Sequence, residues 1–109
     1  FAPMAVAAFQ ALAPLSAHSR YDLGLVALVA GDNVKAGAQA DSILAGRPTH
    51  LLGLSLAARA ADARGDAAAA RAARQKMLAA EQAEKAAGIP EYTDHAADLT
   101  AAIEGARSR

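Results

Sequence analysis

Three histidines are the only side chains besides carboxylates that offer metal ligands, because the chain contains no cysteine. His95 follows Glu91 by four residues, a spacing that sets both on one helical face within reach of a single ion. Two ligands make a poor centre and the HExxH arrangement is absent, so no metal or other cofactor is expected. His18, His50 and His95 are assigned instead to helix caps or surface ion pairs. Without cysteine, thiol catalysis and disulfides are excluded as well.

Gly53-Leu54-Ser55-Leu56-Ala57 approaches the nucleophile elbow of hydrolases. That motif requires a strand before the serine and a helix after it, whereas these residues fall inside a helical stretch. Arg64-Gly65-Asp66 matches a cell-adhesion tripeptide, yet a helix end, a turn and a cap account for each residue. Arg59, Arg64, Arg71, Arg74 and Lys76 gather in one region, followed by Glu81, Glu84 and Lys85, a charge run that reads as a solvated helix face. No phosphate-binding glycine loop and no carboxylate pair in a recognisable cleft is present. The chain is therefore expected to be no enzyme, with no catalytic residue and no small-molecule substrate.

Composition narrows the elements that carry these residues. Apolar residues make up 54% of the 109, but 34 of them are alanine. Alanine is the best helix former and is depleted in strands, and it buries too little surface to fill a thick core. Thin layers of closely approaching helices are the expected solution. Eleven basic and eleven acidic residues cancel, which argues against a nucleic-acid partner. No apolar run approaches the roughly 18 residues needed to cross a bilayer.

Helix boundaries follow from breakers and caps. An amphipathic helix is expected over about 3–13, with Met4, Val6, Phe9 and Leu12, ended by Pro14. Ser16 caps a helix to about Ala30 with Tyr21, Leu25, Leu28 and Val29 on one stripe. Gly31 stops it, and Asp32 or Asn33 caps a helix to about Ala45 with Val34, Ala36, Ala40, Ile43 and Leu44 inward. Thr49 caps a leucine-rich helix to about Arg64. After Gly65-Asp66, a long helix runs to about Ala87, where Gly88 ends it. Pro90 then opens a last helix to about Ala106, with Tyr92, Ala96, Leu99 and Ile103 inward and Glu91, Asp94, Asp98 and Glu104 outward.

These elements repeat at a shift of 34 residues. Gly31-Asp32 falls on Gly65-Asp66, Gly24 on Ala58, Ala36 on Ala70, Leu44 on Leu78 and Pro14 on Pro48. The period, with Leu23-Gly24, the Gly-Asp turns, the small residues of the second helices and Pro48, resembles the tetratricopeptide repeat. Departures are Arg20 and Leu54 at the first aromatic position, alanine at the second in both copies, and Gln82 where the last proline should stand.

The resemblance implies an all-α solenoid of about six antiparallel helices. Residues 1–15 make a half repeat, 16–48 and 49–82 two repeats, and 83–109 a helix extension and capping helix, within what is expected to be a longer chain. It also implies a non-catalytic protein-interaction or scaffold module that takes another protein or a peptide segment on the concave face. That face maps to His18, Tyr21, Leu25, Leu28 and Val29, then Leu52, Ser55, Arg59 and Asp62. Arg59 either orients the bound segment or pairs with Asp62 or Asp66. Two alternatives stand beside this reading: an accessory domain of an enzyme encoded upstream, and self-association through the open N-terminal end. The partner class extends to a subunit of a membrane-associated complex. The compartment is not readable, with a lean toward the periplasmic or envelope-exposed side of a bacterial membrane through an upstream anchor.

Overall fold

The two Gly-Asp turns are built alike, bond for bond. Gly31 and Gly65 hold φ near +80°, a region open to glycine at little steric cost. In the first turn the N–H of Gly31 donates to the carbonyl of Leu28 (3.1 Å) and that of Asp32 to Ala27 (2.8 Å). In the second, Gly65 donates to Asp62 (3.1 Å) and Asp66 to Ala61 (2.8 Å). Each aspartate then caps the next helix, accepting from Lys35 N–H (3.0 Å) or Ala69 N–H (3.1 Å). The Arg64-Gly65-Asp66 tripeptide is thus helix end, turn and cap.

The computed structural model describes residues 16–109, and these form six helices and no strand. They are α1 (Ala17–Val29), α2 (Asn33–Gly46), α3 (Leu51–Ala63), α4 (Ala67–Ala86), α5 (Pro90–Asp94) and α6 (Ala96–Arg107). The helix expected over 3–13 lies outside the described residues. None of the described helices is long and apolar enough to cross a membrane.

Helix α3 is the centre. Leu51, Leu52, Leu54, Leu56, Ala58, Ala60 and Ala61 are all buried, so almost every side of this helix is covered, as an all-round apolar helix must be. It touches α1, α2, α4 and α6, while α1 packs on α2 and α4 on α6. Close approach is possible because small residues stand at the crossings. A Cβ added at Gly24 of α1 would overlap the Leu56 side chain, and one at Gly53 would meet Ile43 and Leu44 of α2 at 2.8 and 2.9 Å. Alanine-rich helices gain their core through such contacts.

Five local expectations are corrected. The cap of α3 is His50, whose Nδ1 accepts from Gly53 N–H at 3.4 Å, and not Thr49. Thr49 is drawn away because its hydroxyl donates to Glu84 Oε2 at 2.7 Å. The last helix is broken at His95 (φ −118°, ψ 35°), which separates α5 from α6. Val34 is 79% exposed rather than inward, Val29 is 91% exposed, and Ala96 is exposed, because no described helix covers those sides.

Candidate functional site

The helix pair α5–α6 packs on α3 and α4 and also reaches back to α1. Tyr21 Oη of α1 donates to Asp98 Oδ2 of α6 at 3.2 Å, and His18 Nδ1 meets His95 Nε2 at 2.9 Å. The Tyr21 and His95 rings stand edge to face at 4.8 Å. Burial, reinforced by Asp98, pushes the Tyr21 hydroxyl up to about 12. The face of α1 and α3 expected to be concave is therefore covered in part by the chain's own last helix.

The nine residues assigned to that face divide accordingly. Tyr21, Leu52 and Ser55 are buried in the core, with Ser55 inside α3. Leu25 and Leu28 are half-buried against the same core. His18 is half-exposed beside His95, and Val29 points to solvent at the α1–α2 turn. Arg59 and Asp62 are exposed and, with Ser55, Asp98 and Met77, line an open polar cleft of about 390 Å³ between α3, α4 and α6. Neither acid expected beside Arg59 pairs with it in an ion pair: Asp62 takes Arg74, and Asp66 takes Arg64 at 3.5 Å.

A polar network ties α4 and α5 to the start of α3. Glu84, only 3% exposed, accepts from Arg47 Nε and an Arg47 terminal nitrogen (2.8 and 3.0 Å), Thr49 Oγ1 (2.7 Å) and Tyr92 Oη (2.6 Å). Glu84 is thus no part of a solvated face, contrary to the reading of its charge run. Burial raises its pKa, but the donors from Arg47, Tyr92 and Thr49 outweigh that and bring it to about 2. Tyr92 Oη in turn accepts from Leu51 N–H at 2.9 Å, satisfying a first-turn amide of α3 that the helix itself leaves free. Burial and the Glu84 hydrogen bond push the Tyr92 hydroxyl well above its usual range. His50 packs edge-on to Tyr92 at 5.1 Å, its pKa lowered by burial, and its Nε2 lies 3.6 Å from Glu91 without a hydrogen-bond partner.

Replacing Tyr92 by Phe should therefore cost about 2 kcal/mol, the usual penalty for stranding a buried donor. The measurement is urea unfolding together with hydrogen exchange at the Leu51 amide. Unchanged protection there would mean the phenol does not hold the start of α3.

One group among the described residues has the composition of a metal centre. A ring nitrogen of His18, a carboxylate oxygen of Asp22 and a ring nitrogen of His95 lie within 4.8 Å of one another. His95 was paired on sequence with Glu91, but Glu91 turns to His50; the neighbours of His95 are His18, Tyr21 and Asp22, of which His18 is 77 residues away. No local spacing could reveal that.

A second group was also missed. Among the described residues, Leu23, Val26, Val29 and Val34 are the large apolar side chains left exposed, at 45, 66, 91 and 79%. Leu23, Val26, Ala27 and Ala30 line a shallow groove of about 320 Å³ bordered by Asp32, Lys35 and Gln39. The signal was present in the spacing of Leu23, Val26 and Ala30, which share a face of α1 turned away from Tyr21, Gly24 and Leu28.

No protein-family model, curated protein or solved structure matches this chain.

Proposed function

We propose that this chain is a non-catalytic interaction module of the tetratricopeptide type, a solenoid segment that binds a helical element of another protein along its α1–α2 edge. The observation that carries the reading is the exposed Leu23 and Val26 lining an apolar groove, with Val29 and Val34 also exposed next to the α1–α2 turn. Contiguous exposed apolar surface rimmed by charge marks a protein contact. The solenoid reading is supported by two turns with matching hydrogen bonds 34 residues apart, and by helices α1 to α4, each of which packs against the next. In a repeat array each unit buries its apolar side against a neighbouring helix, so a helix is the element such a surface takes.

The inner face is the weaker candidate, because Tyr21, Leu52 and Ser55 are buried and α6 occupies part of it. A photo-crosslinking residue placed at Val29, and separately at Arg59, in the protein expressed in its native source discriminates the two surfaces. Adducts with another protein are expected from position 29 and not from position 59. Val26→Asp should weaken that complex about tenfold or more while leaving helicity intact. Adducts from position 59 alone would return the site to the inner face, and adducts between two copies would make the module self-associating.

A further inference from the structure

We propose that His18, Asp22 and His95 form a binding site for one divalent zinc-class cation, which staples α1 to the α5–α6 junction. The three donors converge from both ends of the described chain. His18 and Asp22 stand four residues apart on one face of α1, with Nε2 and Oδ2 3.3 Å apart. His95 Nε2 lies 2.9 Å from His18 Nδ1 and 3.6 Å from Asp22 Oδ1. Two bonds of about 2.0–2.1 Å at a tetrahedral angle separate their ligand atoms by about 3.3 Å. His18 faces its two neighbours with different nitrogens and Asp22 with different oxygens, and one atom from each of the three residues lies within 4.8 Å of the others. Rotation of the half-exposed His18 and Asp22 side chains draws the set in to the ion.

Several features prepare the site. His95 occupies the break between α5 and α6, and its side chain is only 13% exposed, held between the rings of Tyr21 and His18. It is therefore largely ordered before any ion arrives. Asp94 Oδ2 lies 4.0 Å from His18 Nδ1, adding a second carboxylate that favours a cation beside two imidazoles. The two rings share a nitrogen–nitrogen contact of 2.9 Å, which a bound cation would replace.

Two imidazoles and one carboxylate select zinc, nickel, cobalt or copper over magnesium and calcium, which prefer oxygen alone. Three protein ligands at a half-exposed surface leave a fourth position for water. Such a bond would close a loop of 77 residues, so its effect falls on the docking of α5–α6 against α1.

The experiment is calorimetric titration of the intact chain with zinc chloride, paired with thermal melts followed by circular dichroism. One equivalent should bind and raise the melting temperature, and magnesium chloride at the same concentration should do neither. Asp22→Asn and His18→Ala alter half-exposed positions and should leave the fold intact while weakening zinc binding about tenfold or more. His95→Gln should do the same. Absence of saturable zinc binding would overturn the site, as would undiminished affinity in His18→Ala and Asp22→Asn. Equal binding of magnesium would reduce it to nonspecific attraction by surface carboxylates.

Discussion

Glu84→Ala is expected to lower stability by about 3 kcal/mol at neutral pH, read from urea unfolding. The carboxylate is buried and collects four donor contacts from Arg47, Thr49 and Tyr92. Removing it leaves the half-exposed Arg47 and the exposed Thr49 free to turn to water, so the cost sits at the lower end for a buried ion pair. Tyr92 cannot escape, and its hydroxyl loses the acceptor it donates to. The sign of the pH dependence follows from linkage. Glu84 titrates near its ordinary 4.5 when unfolded and about 2 when folded, so its contribution is complete above about pH 4.5. It is lost as the pH falls from there through about 2, where both states are protonated. The gap between native protein and Glu84→Ala should shrink by about 3 kcal/mol across that window. A gap that stays constant would mean the carboxylate is not held ionised by its donors.

What the sequence disclosed and what it hid divide by distance along the chain. The turns at Gly31-Asp32 and Gly65-Asp66 were legible because every bond in them joins residues within five positions. Helix α3 was legible because leucine recurs through it so densely that no face is left for water. The all-helical class followed from the alanine content. The cap of α3 was misread because Thr49 is a good cap in isolation, and only Glu84, 35 residues later, explains why its hydroxyl is engaged elsewhere. Glu84 itself looked solvated beside Glu81 and Lys85, since charge alone does not say which turn faces Arg47. The return of α6 to α1 had no local trace. Tyr21 and Asp98, like His18 and His95, are 77 residues apart, and the stripe of the last helix foretold only a cap. That return buries Tyr21 and makes the cluster of His18, Asp22 and His95.

The second large effect tests whether small residues are what allow the helices to approach. Leu56→Ala should cost about 3 kcal/mol, because Leu56 is fully buried in α3 and its loss leaves a cavity. Gly24→Ala pits two terms against each other. Alanine gains about 1 kcal/mol over glycine in a helix interior, but its Cβ would occupy space now held by the Leu56 methyls. Leu56 is packed on all sides and has little room to yield, so the overpacking cost of about 1–3 kcal/mol wins, for a net loss of about 1 kcal/mol. In the double variant the new methyl enters the space that Leu56 vacates. The two changes together should therefore be less destabilising than their sum by about 1 kcal/mol or more, a coupling expected only of residues in contact. Urea unfolding of the four proteins measures it. Additivity within about 0.5 kcal/mol would mean that Gly24 and Leu56 do not meet, and the account of a thin, alanine-built core closed by helix contact at glycine would lose its main support.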